Sequence, residues 1–354
     1  MKRLWSFFGV LIFLAAMGGG SYLYFDHKMS SPLDSGNTRV EITIAKGTTF
    51  DGAVEILNEN GMAPHPLMFQ TRARLRNRRV PLQAGLYRFK RSMSPDQIMD
   101  KLVAGPDMLL KDLPLKFQIT PGQNLFQIAN HLTRIRARGN LFKIAASPAK
   151  IQALGAPLPA RLRAGAHTAL EGYLYPDTYF LERKKPRVMD VVKRAVKRFN
   201  QVWQALKEKH AGRLNAIRSE LALSDHDLVT LASLIEKEMG HKDEAAQIAG
   251  VFYNRLRNGQ RLQTDPTLVY GPDSWRQKPS PAHRMDRRNP YNTYHIPGLP
   301  PGPIASPGKA ALEAVLTPAR TQAYYFVAKR DGSGRHVFSK TLAEHRANIN
   351  RYLR

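Results

Sequence analysis

An uninterrupted apolar segment at the N-terminus is the feature that most constrains this chain. Residues Leu4–Phe25 include no charged side chain, and Lys2 and Arg3 come immediately before them. A helix rises about 1.5 Å per residue, so this segment is long enough to cross a hydrocarbon core of about 30 Å. Positive charges favour the cytoplasmic side of a membrane. The sequence therefore predicts a cytoplasmic N-terminus at 1–3, a transmembrane anchor at 4–25, and the rest of the chain outside the plasma membrane.

A cleaved signal peptide is the alternative interpretation of the same segment. Its apolar part is long for a signal peptide, and Ala16–Ser21 matches the small-residue cleavage pattern only loosely. We therefore expect the anchor to be retained.

Positive charge dominates the composition. The chain has 54 Lys and Arg against 28 Asp and Glu, a net charge of +26. Such an excess indicates either a solvated basic surface or an acidic partner, which can be nucleic acid, anionic lipid or an anionic polymer. The sequence contains no zinc-finger spacing and no RNA-binding signature. Because a domain outside the membrane does not readily meet nucleic acid, we expect an anionic polymer or lipid and no nucleic acid.

A linker at 26–38, with Ser, Pro, Gly and Asp, precedes a small module at 39–114. Alternating apolar residues predict a strand at Arg39–Ile44, and Thr48 or Thr49 caps the helix that follows. That helix carries four apolar residues on one face, namely Phe50, Ala53, Val54 and Leu57. The other predicted elements are a helix at Pro66–Arg76, a strand at Ala84–Phe89 and a helix opened by the capping box Ser94–Gln97.

The beginning of this module is echoed later in the chain. Residues 44–57 and 119–132 each have the pattern of a strand, a glycine turn and an amphipathic helix, with Gly47 and Gly122 at the turns. Both segments resemble the opening of LysM modules, small βααβ units that bind glycans containing N-acetylglucosamine. Strand–turn–helix units with a glycine are also common elsewhere. We predict a LysM-like module at 39–114 and expect the second copy to open the larger domain.

Residues 115–354 combine helical and strand patterns. The predicted elements are helices at Asp190–Lys209, Asp225–Met239, Asp243–Asn258, Pro307–Leu316 and Leu342–Leu353, and a hairpin of Ala323–Ala328 with His336–Ser339. Pro279–Pro307 is predicted to be a loop too polar for the core. The predicted fold class is α+β, with an N-terminal transmembrane helix, a small LysM-like βααβ module and a larger mixed α+β domain.

Glu236 is the candidate for acid–base chemistry. On its predicted helix it shares a face with the apolar residues Val229, Ala232 and Met239. A carboxyl group among apolar neighbours loses hydration, which raises its pKa and suits a general acid. Periodicity alone more often indicates a surface glutamate in a salt bridge. Glu238 lies nearer a different face, where pairing with a base is the expected alternative.

Polar and aromatic residues elsewhere are candidates for binding a sugar. Tyrosine rings stack on sugar faces, and polar side chains match hydroxyl and acetamido groups. The candidate substrate-binding residues are Glu171, Asn254, Gln263, Thr264, Asp265, Tyr291, Asn292 and Tyr294. The structural alternatives are a rigid surface loop around the last three, and a turn-forming or positioning role for Glu171 and Asp177.

The sequence has no motif for metal, phosphate or serine chemistry. Its eleven histidines form no HExxH pattern, and no GxSxG, Walker A or GxGxxG motif occurs in a supporting context. The chain has no cysteine, which excludes disulfides and thiolate metal sites. We therefore expect neither a metal nor another cofactor.

As an ordered set, several segments resemble the endolytic murein transglycosylase (YceG-like) family. They are the N-terminal anchor, the LysM-like segment, Glu171–Tyr179, Ala232–Glu238, Phe252–Leu256, Leu262–Thr267, Tyr291–Tyr294 and Gly298–Ile304. Each alone is weak, but together they follow the family's order over nearly the whole chain. Two residues depart from the family pattern. Met239 replaces the usual threonine, which affects a supporting hydrogen bond near the site, and Ser306 stands where relatives often have asparagine.

The resemblance implies that Glu236 is the catalytic acid of a transglycosylase domain at 115–354. It implies that the enzyme cleaves the bond between N-acetylmuramic acid and N-acetylglucosamine in peptidoglycan and leaves 1,6-anhydro ends. It also implies a single-pass inner-membrane enzyme that ends the elongation of nascent strands beside peptidoglycan synthases, the penicillin-binding proteins.

Two other functions remain open for the same residues. A hydrolytic muramidase normally needs a second carboxylate about 5–9 Å from the first, for which Glu238, Asp265 and Asp177 are the possible partners. A non-catalytic scaffold would bind wall glycan through the LysM-like segment alone.

Overall fold

The computed structural model describes residues 17–159, 162–182 and 185–353, in two compact units, Met1–Pro114 and Leu115–Arg354. Residues 17–30 form helix α1. The anchor predicted at 4–25 therefore lies mostly outside the described residues, and its described part is helical. Within the described ranges, no helix is both long enough and apolar enough to cross a membrane.

The linker predicted at 26–38 begins later than expected, because α1 continues to residue 30. Asp26 pairs with the guanidinium of Arg72 at 2.7 Å, and Met29 is buried in the core of the first unit. These two contacts hold the last turns of α1 against the unit. Of the predicted linker, residues 31–38 are without helix or strand.

In the first unit, a three-stranded antiparallel sheet shares one apolar core with its helices. The elements after α1 are β1 (Arg39–Ile44), α2 (Phe50–Glu59), α3 (Pro66–Leu75), β2 (Gly85–Lys90), α4 (Pro95–Ala104) and β3 (Met108–Leu109). The strand order is β1-β2-β3, with Arg39 opposite Lys90 and Ile44 opposite Gly85. Gly85 permits the close approach of β3, because a Cβ there would lie 2.4 Å from the Met108 carbonyl oxygen.

The local predictions for this unit are confirmed. Thr49 caps α2 by accepting the Gly52 N–H, and the four apolar residues of that helix are all buried. Ser94 and Gln97 form the predicted capping box of α4. The order β1-α2-α3-β2 is the predicted βααβ arrangement, which α4 and β3 extend.

The second unit is the predicted mixture of helices and short strands. Its elements are β4 (Leu115–Gln118), α5 (Leu125–Arg134), α6 (Leu141–Ala145), α7 (Pro148–Gln152), β5 (Thr178–Leu181), α8 (Val188–Lys209), α9 (Ala211–Leu221), α10 (Asp225–Glu238), α11 (Ala245–Arg257), α12 (Pro281–Met285), α13 (Lys309–Ala314), β6 (Tyr325–Ala328), β7 (His336–Ser339) and α14 (Leu342–Leu353), with short 3-10 turns at Lys242–Glu244 and Asp265–Val269. β4 pairs antiparallel with β5, and β6 with β7.

Helix α10 is the central element of this unit. The capping box of Ser224 and Asp227 starts it, and every residue from His226 to Ile235 is buried. It packs against α11 and α13. A helix buried on all sides is a rigid support for a side chain in its last turn, which is where Glu236 lies.

The prediction that Pro279–Pro307 is too polar for the core is wrong. Tyr291 and Ile304 are at most 3% exposed, and Asn292 is fully buried. The amide of Asn292 donates to three backbone carbonyls of residues 283–286, so its polarity is satisfied inside the protein. Prolines also lack the N–H that a buried backbone must otherwise pair.

Candidate active site

Glu236 projects from the last turn of α10 and is partly buried. Its Oε2 accepts a hydrogen bond from the backbone N–H of Gly308 at 2.9 Å. Among the described residues, no hydrogen bond reaches its Oε1 and no cation lies within ion-pair distance. Burial raises the pKa of Glu236, against the opposing effects of the Gly308 N–H and of Lys242 and Lys237. The salt-bridge alternative is therefore not the arrangement found, and the carboxyl group has the properties of a general acid.

Backbone from two distant segments surrounds this carboxyl group. A Cβ on Gly122 would lie 3.9 Å from the Cγ of Glu236, and a Cβ on Gly308 would lie 3.4 Å from its Oε2. Two hydrogen bonds join the segments, from Gly122 N–H to the Ser306 carbonyl at 3.0 Å and from Ser306 N–H to the Gln123 carbonyl at 2.8 Å. Residues 119–132 were predicted to open the domain. Nothing in that local pattern indicated that its glycine turn meets Glu236.

The two departures from the family pattern lie in this neighbourhood. Met239 ends α10 and packs, partly buried, against the main core. The hydroxyl of Ser306 is buried and has no hydrogen-bond partner among the described residues. Neither side chain donates a hydrogen bond to Glu236.

A cavity of about 230 Å³ adjoins the end of α10. Residues from four segments line it, namely Asn124, Gln127, Lys237, Pro266, Val269, Tyr270, Trp275, Gln277, Lys278, Pro279 and Ile304. The lining contains two lysines and no carboxylate. Trp275 stacks on Phe126 with ring centroids 6.3 Å apart and planes 12° from parallel. An aromatic surface beside amides and cations suits a sugar that carries acetamido and carboxylate groups.

Glu171 lies beneath this cavity, only 2% exposed. Its Oε2 accepts hydrogen bonds from the N–H of Leu125 and from the hydroxyl of Tyr270, both at 2.9 Å. Burial raises its pKa to about 7, although these hydrogen bonds and the more distant Lys237 act in the opposite direction. The direct role in substrate binding predicted for Glu171 stays a prediction. Its contacts in this structure are with protein groups.

Glu238 has a hydroxyl partner where pairing with a base was expected. It accepts the hydrogen bond of the Thr264 side chain, and burial raises its pKa. The Thr264 N–H in turn donates to the hydroxyl of Thr293. Gln263 is exposed, and its backbone has a left-handed φ of 51°. These contacts fix residues 262–267 against the end of α10.

Asp265, Tyr294 and Arg284 form an adjoining polar group. The Tyr294 hydroxyl donates to Asp265 at 2.7 Å, and Arg284 pairs with Asp265 at 3.1 Å while lying over the Tyr294 ring. Asp265 keeps about half of its side chain exposed. Of the predicted substrate-binding residues, Gln263 is exposed, and Asp265 and Tyr294 are half-buried.

The remaining candidates are occupied by internal contacts. Tyr291 is 1% exposed, and its ring stacks on His167 with centroids 5.1 Å apart. Asn292 binds backbone, as described above. Asn254 donates to the carbonyls of Thr321 and Ala323 and lines a different cavity, of about 590 Å³.

Each of the three possible second carboxylates forms a hydrogen bond or an ion pair with another side chain. Asp177 pairs with Arg198 at 3.2 Å, Asp265 is held by Arg284 and Tyr294, and Glu238 by Thr264. In the part of the chain that the structure describes, no three His, Asp or Glu side chains converge as metal ligands.

Comparisons with known proteins agree on one family. A sequence model described as the YceG-like family matches residues 42–351. The endolytic murein transglycosylase of Bacillus subtilis is 31% identical over 344 residues, which cover 95% of this chain and 91% of that protein. That of Streptococcus pneumoniae serotype 2 is 28% identical over 364 residues, and the match spans 63% of its length. The crystal structure of a YceG-like protein from Listeria monocytogenes superposes with a TM-score of 0.57 at 29% identity, over 88% of this chain and 99% of that one.

Proposed function

The chain belongs to the YceG-like family, and on that premise we propose that it is an endolytic murein transglycosylase, which cleaves the glycan strands of peptidoglycan. The observation that carries the proposal is Glu236, a partly buried carboxyl group with a raised pKa in a recess of glycine backbone. Its chemistry is that of the acid in glycosidic bond cleavage. The cavity beyond Lys237 supplies a place for a sugar.

In the proposed first step, Glu236 protonates the oxygen between N-acetylmuramic acid and N-acetylglucosamine. The bond from this oxygen to C1 of the muramic residue breaks, and positive charge develops at C1. The Gly308 N–H occupies Oε2, which leaves Oε1 for the substrate. As the proton leaves, the same N–H stabilises the carboxylate that forms.

In the second step, the Glu236 carboxylate takes the proton from the C6 hydroxyl of the muramic residue. The C6 oxygen forms a bond to C1, which closes a 1,6-anhydro ring and restores the protonated acid. No water is consumed, so a second carboxylate is not required. This is consistent with the engagement of Asp177, Asp265 and Glu238 by other groups.

The cavity is the proposed binding site for one sugar of the strand. Trp275 offers an aromatic surface, Asn124 and Gln127 offer amides, and Lys237 and Lys278 complement carboxylates of the substrate. Gln263, Asp265 and Tyr294 are proposed to contact the strand from the neighbouring polar group.

Digestion of purified glycan by the wild-type protein and by Glu236→Gln tests the reaction. A positioned acid contributes about 10²–10⁴-fold, so the variant is expected to lose cleavage by that factor. Exposed Glu55→Gln is the matched control and should cleave normally. Mass analysis of the wild-type products distinguishes the mechanisms, since anhydro ends are lighter than reducing ends by one water. Reducing ends alone would establish a hydrolytic muramidase, and cleavage by Glu236→Gln at the wild-type rate would remove Glu236 from the mechanism.

We also propose that residues 4–25 anchor the enzyme in the inner membrane with its catalytic domain outside, near peptidoglycan synthases. The apolar run and the preceding Lys2 and Arg3 support this placement. An anchored enzyme meets strands as they are made, so it would terminate their elongation. Membrane fractionation with external protease tests the topology. A fully released chain that the protease reaches only after lysis would contradict it.

Glycan binding by residues 39–114 is a separate proposal, supported by the βααβ order of the first unit. Full-length Glu236→Gln should still sediment with insoluble peptidoglycan although it cannot cleave it. Loss of sedimentation on deleting 39–114 is the expected result. A wild-type protein that sediments but never cleaves would favour the non-catalytic scaffold.

A further inference from the structure

Glu171 is the most deeply buried carboxylate among the described residues, and its role is unexplained by acid catalysis. The donors that stabilise its carboxylate are neutral, namely the Leu125 N–H and the Tyr270 hydroxyl, with a smaller contribution from the Gly172 N–H, and within the described ranges no Lys, Arg or His forms an ion pair with it. A buried carboxylate without a counter-ion costs stability. Glu171 does not line the cavity, so any functional role must act through the groups to which it is hydrogen-bonded.

The first partner connects Glu171 to Glu236. Leu125 is the first residue of α5, and its N–H is one of the unpaired donors of a helix start, where a negative charge is favourable. Residues 120–124 precede it and form reciprocal backbone hydrogen bonds with Ser306. Two residues further along, Gly308 donates to Glu236. A continuous path of short contacts therefore leads from Glu171 to the catalytic carboxyl group.

The second partner connects Glu171 to the opposite wall of the cavity. Tyr270 lines the cavity, and its ring packs against Tyr291 at 4.7 Å and Phe126 at 5.9 Å. Its hydroxyl is held by Glu171. One oxygen atom thus fixes both the N-terminus of α5, with Asn124 and Gln127, and the ring of Tyr270.

We infer that Glu171 is a positioning residue, whose ionised carboxylate holds the α5 N-terminus and Tyr270 at the distance that productive binding beside Glu236 requires. Charge-assisted hydrogen bonds are roughly twice as strong as neutral ones, so the ionised form holds both walls more firmly. This inference rests on the proposed function of the same site. It predicts that activity needs Glu171 ionised and Glu236 protonated.

The titratable groups around Glu171 affect its pKa. They are Tyr270 and Tyr291, with Lys237 of α10 more distant. His167 packs on Tyr270, and burial holds the pKa of His167 below its ordinary value. Because activity requires the ionised form of Glu171, whose pKa is about 7, kcat should decline on the acid side of its optimum as Glu171 takes up a proton.

Glu171→Gln, measured in the full chain on purified glycan, is the primary test. The amide keeps the shape and accepts neutral hydrogen bonds, so kcat should fall about 10–100-fold with a much smaller change in KM. The decline of kcat on the acid side should disappear, while the decline on the alkaline side, where Glu236 loses its proton, remains. Glu244→Gln is the matched control: Glu244 is buried and accepts two hydrogen bonds from His336, so its loss should lower the unfolding temperature but keep both declines.

Tyr270→Phe decides the matter if Glu171→Gln does not fold. Removing this donor takes a stabilising hydrogen bond from the Glu171 carboxylate and raises its pKa, so less of it is ionised at a given pH and kcat below pH 7 should fall. Wild-type kcat with both declines unchanged in Glu171→Gln, or in Tyr270→Phe where that variant decides, overturns the positioning role. A wild-type protein that cleaves no glycan refutes the proposed function instead.

Discussion

Residues 44–57 and 119–132 have the same local pattern and serve different purposes. Each has a glycine with positive φ, 87° at Gly47 and 79° at Gly122, followed by a capped amphipathic helix. A Cβ on Gly47 would meet nothing within 4 Å, whereas one on Gly122 would touch Glu236 and Lys237. The turn of the first segment is open to solvent. That of the second is a wall of the candidate active site around Glu236, which local sequence does not reveal.

The carboxylates at the two helix starts differ in the same way. Asp51 belongs to α2 itself and pairs with Arg79 at the surface. The carboxylate at the start of α5 is Glu171, which is distant in sequence, buried, and held by neutral donors. The first arrangement is a surface ion pair, and the second is a buried carboxylate without a counter-ion among the described residues.

The largest expected effect is on the pH dependence of stability. The pKa of Glu171 is about 7 in the folded protein and 4.5 in the unfolded chain. Its contribution therefore lowers the free energy of unfolding of the second unit as pH rises from 4.5 to 7, by roughly 3 kcal/mol, and is constant above that. Denaturant titration followed by Trp203 and Trp275 fluorescence measures this unit.

Two substitutions test the difference between the buried carboxylate of Glu171 and the surface carboxylate of Asp51. Glu171→Gln should remove that decline and be more stable than wild type at pH 8. Asp51→Asn should instead lose about 0.2–1 kcal/mol, the value of an exposed ion pair, as seen by hydrogen exchange in the first unit. An equal pH dependence in wild type and Glu171→Gln would show that the buried charge is not the cause.

Local sequence was sufficient where a structure is specified within one turn. The bounds of β1 and α14, the Thr49 cap and the Ser94 capping box are as predicted. Burial raises the pKa of Glu236, the direction that its apolar helical neighbours indicated, although periodicity alone more often indicates a salt-bridged surface glutamate. Caps and periodicity involve residues three or four positions apart, so a single sequence contains all the necessary information.

The surroundings of Glu236 depend on contacts that no local pattern encodes. The hydrogen bond from Gly308 spans 72 positions, and that from Leu125 to Glu171 spans 46. The burial of Asn292 depends on carbonyls that only the folded loop turns inward. The ordered motifs identified the family and made Glu236 the candidate acid. It did not separate residues that line the cavity from those that support it.

A smaller effect is expected from placing valine at each glycine. Gly47→Val and Gly122→Val introduce the same strain at positive φ, about 1–2 kcal/mol each. Gly122→Val also pushes branches toward Glu236 and should lower kcat about 10–100-fold. Gly47→Val should leave kcat unchanged. Rates on purified glycan, beside the unfolding free energies, measure both, and an equal loss of kcat in the two variants would contradict the different roles of the turns.

The smallest effect is expected at the two helix caps. Thr49→Ala and Asn124→Ala each remove a side chain that accepts a hydrogen bond at the helix start, which costs about 1 kcal/mol. The cost should appear in the first unit for Thr49, by hydrogen exchange, and in the second unit for Asn124, by tryptophan fluorescence. Asn124 also lines the cavity, so its loss should raise KM modestly, while Thr49→Ala should not change KM. Because the two variants disturb the same kind of cap, a rise in KM confined to Asn124→Ala isolates the part of this residue that meets the substrate. An equal KM in both would mean that the cavity beside Lys237 does not receive the glycan.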